Sequence, residues 1–107
     1  MLVFRPHQRD PEVTDFDAEP PLAEVEAIVG GPLRQVPGFL SIEYDCALRR
    51  CVALCLQTQN PKEPVNGAAT ILWDQALRRD MGVGLIRRDG TRADHLTGTV
   101  VVFFARY

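Results

Sequence analysis

The sequence predicts an α+β fold, an antiparallel sheet of about four strands with two helices on one face, in the β-α-β-β-α-β order of the ferredoxin-like split βαβ arrangement. Three observations predict it. Residues 22–29 and 69–77 repeat apolar side chains at helical spacing, and residues 39–45 and 51–57 alternate side chains at strand spacing. The third is Thr99 to Phe104, an unbroken β-branched and aromatic run. The chain has 107 residues, of which 46% are hydrophobic and 24% charged. That suffices to bury a core in a single domain over residues 1–107, and is too apolar for a disordered chain.

Each element follows from its neighbours. Leu2-Val3-Phe4, stopped by Pro6, reads as a first strand, and the acidic stretch from Pro6 to Pro20 as a loop with a short edge strand at Glu12 to Asp17. Pro20-Pro21 opens a helix whose stripe is Leu22, Val25, Ile28 and Val29, and Gly30-Gly31 ends it. A hairpin follows. Its first strand carries Leu40, Ile42 and Tyr44 on one face; its second turns Val52, Leu54 and Leu56 inward, with Cys51, Ala53 and Cys55 opposite. Residues 46–50 form the linker. Asn66 caps a second helix with the stripe Ala69, Leu72, Trp73, Ala76 and Leu77, and Arg78-Arg79 stand at its negative end. Val83, Leu85 and Ile86 start another extended segment, and Met81 to Gly84 reads as a turn rather than a phosphate loop, because it follows a helix. The run at 97–104 predicts a central strand covered on both faces, or on one face and by a partner.

Gly30-Gly31, Pro64-Val65-Asn66 leading through Ala69-Thr70 to Leu72, and Gly98-Thr99-Val100-Val101-Val102 together resemble a family of small proteins of bacteria, phages and plasmids, domain of unknown function 3846. The resemblance spans residues 22–103. The family pattern places an acid three positions after the glycine pair, where this chain has Arg34. The resemblance implies a mobile-element or accessory context, with an anti-defence role among the expectations, and brings no activity, cofactor or catalytic residue.

Charge is the main functional signal. The formal net charge is −2, but residues 1–45 hold nine acids against three arginines, and residues 46–107 nine bases against five acids. Either the halves interleave and neutralise one another, or the asymmetry marks contact surfaces. Two candidate surfaces stand out. Arg49, Arg50, Arg78, Arg79, Arg87, Arg88 and Arg92 form a basic patch if hairpin linker, helix end and final loop share an edge. Asp10, Glu12, Asp15 and Asp17 space negative charges around Val13 and Phe16.

Catalytic chemistry finds little support. Cys46, Cys51 and Cys55 lack the close pairing of a zinc site, and on a strand Cys51 and Cys55 stand about 13 Å apart. His95 beside Asp94 points away from it on an extended chain, and His7 has no assigned role. No metal or cofactor is expected. With no signal peptide and no membrane-spanning run, the protein is expected in the cytoplasm. It is expected to act as a non-catalytic module on a protein partner, with a homodimer through a strand edge as a further expectation. Two alternatives are a nucleic-acid binder using the arginines, and a small-ligand domain or enzyme with a pocket around Tyr44, Asn66 and Thr70.

Overall fold

The computed structural model describes residues 1–14, 19–59 and 62–104. Within them the chain forms β1 (Leu2–Phe4), β2 (Glu12–Val13), α1 (Leu22–Val29), β3 (Leu33–Gln35), β4 (Ser41–Tyr44), β5 (Ala47–Leu56), α2 (Gly67–Met81) and β6 (Val100–Phe104). The α+β class, the antiparallel sheet and the two helices are those the sequence predicts. The strand count and order are not. The sheet has six strands in the order β2-β1-β6-β5-β3, with β4 also paired to β5. A split βαβ unit joins parallel strands through a helix, with one strand between them. Here β5 and β6, joined through α2, are adjacent and antiparallel, while β6 and β5 both separate β1 from β3. Val36 donates to Ala53 O and Cys51 to Leu40 O. Residues two apart direct their backbone groups to the same side, so β3 and β4 follow one another along the outer edge of β5.

The two helices lie on opposite faces of the sheet, a second correction. Under α2, Ala69, Trp73 and Ala76 pack on Leu2, Phe4, Cys51, Ala53, Cys55, Val100 and Val102. Under α1, Val25 and Val29 pack on Val3, Leu54, Val101 and Phe103. The cause is β6, which is apolar at every position and so needs cover on both faces; Val100, Val101 and Val102 are fully buried. The face of β5 expected to turn inward, Val52, Leu54 and Leu56, meets the shorter helix, and the cysteine face meets the longer one. Small side chains there leave room for Trp73, whose indole donates to Pro37 O at 2.8 Å. Leu22, expected in the stripe of α1, is 63% exposed.

Local signals fare better. Gly30 caps α1 in the left-handed conformation at φ +102, its N–H reaching Glu26 O at 2.7 Å. The 36–40 excursion between β3 and β4 buries Val36 and Phe39. It turns at Gly38, φ +74, where any Cβ would strike Leu77. The 83–86 segment is no strand; Ile86 makes a single bridge to Arg92.

The hairpin loop is the third correction. Tyr44 pairs with Ala47, so the loop is Asp45-Cys46 alone, with φ +53 and +61, a type I′ turn. Arg49 and Arg50 therefore lie on β5, not in a linker. A left-handed cysteine is strained, and Cys46→Gly should raise stability by about 1 kcal/mol in urea unfolding. An unchanged or lower midpoint would show that the turn carries no such strain.

Candidate functional site

Ser41 stands between the arginine-bearing part of β5 and the end of α2. It pairs across the hairpin with Arg50, as Ile42 does with Arg49. From the end of α2, Arg79 Nε donates to Ser41 Oγ at 3.0 Å, and that hydroxyl donates to Asp80 Oδ2 at 2.6 Å. A shallow recess of about 430 Å³ opens beside them, lined by Leu40, Ser41, Leu48, Arg49, Arg50 and Asp80. The Arg49 guanidinium stands 5.1 Å from the ring centroid of Phe104, within reach of a cation–π attraction.

The contacts continue toward the last loop. Arg78 Nε donates to Asp74 Oδ2 at 3.0 Å, and its Nη2 donates to Ile86 O at 2.9 Å. Ile86 bridges to Arg92, across a turn that carries Arg87 and Arg88 and closes with the Arg87 N–H on Thr91 O. Arg49 and Arg50 on β5, Arg78 and Arg79 at the end of α2, and Arg87, Arg88 and Arg92 about the last turn are all exposed. Asp74 pairs with Arg78. Asp89 accepts from the Thr91 hydroxyl and amide, which lower its pKa.

The halves do interleave, since β6 and β5 of the second lie between β1 and β3 of the first. Yet the ion pairs formed between described residues are Arg5–Glu12 and Arg78–Asp74, and each lies within its own half of the chain. Of the acidic candidates, Glu12 on β2 is held by Arg5 Nε at 2.6 Å, and Asp10 is exposed on the preceding turn. Asp15 and Asp17, with Phe16, lie outside the described residues.

The buried titratable groups serve the fold. Burial pushes the Cys51 thiol up to about 12, with Arg79 opposing and Asp80 adding to the shift. Burial also raises Cys55, against the hydrogen bond and charge of Arg34. Neither thiol forms a nucleophilic thiolate near neutrality. Asp74 Oδ1 accepts from the backbone of Leu85 at 2.6 Å and Ile86 at 3.1 Å. Burial pushes this carboxyl up, but the hydrogen bonds from Ile86, Arg78 and Leu85 outweigh it and hold its pKa below the ordinary 3.8. Among the described residues no three His, Cys, Asp or Glu side chains stand together as a metal site, and no helix is long and apolar enough to cross a membrane.

The pocket expected around Tyr44, Asn66 and Thr70 is displaced. Asn66 and Thr70 are buried and committed to structural hydrogen bonds. Tyr44 instead lines an open groove of about 700 Å³ with Phe4, Ile42, Ile71 and Leu72. His7, Gln8 and Arg9 form one rim and Glu43 another part of it. No sequence signal marked the first three, because the groove is assembled from the β1–β2 turn, β4 and the first half of α2. Comparison of the chain with protein-family models, curated proteins and solved structures finds no match.

Proposed function

We propose that the protein is a non-catalytic binding module whose arginine band docks on an acidic face of a protein partner. The observation that supports it is the chain of contacts through Ser41 and Ile86 that links the β4–β5 hairpin, the end of α2 and the last loop. A mixed surface of this kind, cationic with exposed Leu40 and Leu48 beside Arg49 and Arg50, suits a protein contact that combines charge steering with apolar burial. A nucleic acid would meet the same cations, but the chain is net negative, and Phe104 is the ring that lies against one of them. The accessory or anti-defence context implied by the resemblance of residues 22–103 belongs to the same proposal and is supported by that pattern alone. The proposal does not extend to a strand-edge homodimer. The edges on offer are β2, two residues long, and β3 with β4, interrupted at 36–40, and short broken edges resist strand addition.

The test is retention of host proteins on the immobilised chain, compared with Arg49→Glu/Arg50→Glu. Wild type should hold a discrete acidic protein whose recovery falls as salt rises from ~0.1 to ~0.5 M, with at least a roughly tenfold loss on charge reversal. Recovery of nuclease-sensitive material in its place would favour the nucleic-acid alternative, and equal recovery by both variants would remove the band from the mechanism.

A further inference from the structure

We propose that the groove bounded by α2, β4 and the β1–β2 turn binds an aliphatic monocarboxylate, a free fatty acid of medium chain length. Its volume of about 700 Å³ lies in the range of roughly 300–1,000 Å³ typical of small-molecule sites. Its apolar wall is continuous with the core under α2. Phe4 and Ile42 belong to that core, and Tyr44, Ala68 and Leu72 pack against it. The wall extends outward to Val65 and Ile71, which remain 44% and 45% exposed. Two large side chains left in water beside a concavity are what an aliphatic chain would cover.

The head group is read from the rim. Arg9, Gln8 and His7 come from one turn and offer the guanidinium fork, a side-chain amide and an imidazole. That turn is braced before any ligand arrives. Gln8 N–H donates to Arg5 O at 3.2 Å, and the Arg5–Glu12 pair spans its base at 2.6 Å. Glu12, the acid of the adjoining strand, is thereby held on Arg5 rather than on Arg9. Among the described residues Arg9 forms no ion pair, so its fork is available to a carboxylate. Glu43, on β4, is the acid in the lining. It repels a second negative charge and limits the ligand to one carboxylate. Glu43 also lines the recess beside Arg78 and Arg79, so the groove adjoins the arginine surface there, while its apolar wall and the rim at His7, Gln8 and Arg9 do not depend on that proposal.

The probe is octanoate, titrated into isotopically labelled protein and followed by amide chemical shifts. The amides of Gly67, Ala68, Ile71 and Leu72 should move together and saturate, while those of the 87–92 turn stay in place. Octylammonium should bind about tenfold more weakly, and Arg9→Ala should cost octanoate about tenfold without moving the melting temperature. Ile71→Glu should abolish the shifts. Unmoved groove amides, equal binding of octylammonium, or an Arg9→Ala variant that binds octanoate as well as wild type would each overturn the assignment. Tighter binding of an acetylated Val-Ile-Leu peptide than of octanoate would give the groove to a protein C-terminus and overturn it too. Shifts of the same amides on concentration alone would give it to a second copy of the chain, with the same consequence.

Discussion

Asn66→Ala should lower the unfolding free energy by about 4 kcal/mol, several times the ~1 kcal/mol expected of a simple helix cap. The side chain does cap α2, its Oδ1 accepting from Ala69 N–H at 3.1 Å. It does more with its other end. Nδ2 donates to Phe4 O at 2.7 Å and to Gly98 O at 2.8 Å, so one buried amide ties the start of α2 to the end of β1 and the approach to β6. Around it Asn66 N–H donates to Leu96 O at 2.7 Å, and Thr70 Oγ1 donates to Asn66 O at 2.7 Å while accepting from Leu96 N–H at 3.0 Å. Alanine would strand two carbonyls and one N–H in a site closed to water, and unsatisfied buried groups cost more than the bonds contribute. Chemical denaturation of the variant measures the loss. Asn66→Asp separates the two roles. It keeps the capping oxygen but turns an acceptor toward the two carbonyls, so it should be about as damaging as alanine. A nearly neutral Asn66→Asp, or an alanine cost near 1 kcal/mol, would reduce Asn66 to its cap.

Asp74→Ala is the second large effect, about 3 kcal/mol, with faster hydrogen exchange at the Leu85 and Ile86 amides. Its carboxylate is the anchor of the final loop, receiving Leu85 and Ile86 N–H on one oxygen and Arg78 on the other. Without it the loop that carries Arg87, Arg88 and Arg92 loses its two backbone bonds to α2 and keeps the weaker, exposed tie from Arg78 to Ile86 O. The pH dependence has a definite sign. The folded pKa lies below the ordinary 3.8, so the folded state favours the carboxylate. The resulting stability is fully present above the unfolded value and is lost as pH falls below 3.8 through the folded value. Asp74→Asn keeps an oxygen for the two amides and removes the charge. The stability gap between wild type and Asp74→Asn should be constant from about pH 7 to 5 and close below about pH 4. A gap independent of pH down to about 2 would refute the role of the charge.

Much of the local structure was legible from neighbouring residues. The spacing of Ala69, Trp73 and Ala76, the cap at Asn66 and the basic end at Arg78-Arg79 describe α2 as it stands. Gly30 ends α1 where the glycine pair predicts. Asp45-Cys46 was missed because a type I′ turn is ordinarily written with glycine or asparagine. Of the charged residues that the sequence singles out, the seven arginines, Asp10 and Glu12 are exposed, but the pocket was placed one layer too deep. Asn66 and Thr70 looked like convergent polar groups, and burial has turned them into internal braces.

What the chain determined by itself were its helices, its apolar runs and the unequal spread of charge, since these depend on residues within a few positions of one another. Only the tertiary structure decided that β6 lies between β1 and β5, that the helices take opposite faces, and which side of β5 meets α2. Positions 51, 53 and 55 are apolar, as are the larger 52, 54 and 56, so alternation alone does not say which face of β5 meets which helix. The choice falls to competition for cover over β6, a long-range effect that also brings Arg79 against Ser41 and Arg78 against Ile86 and opens the groove between segments far apart in sequence.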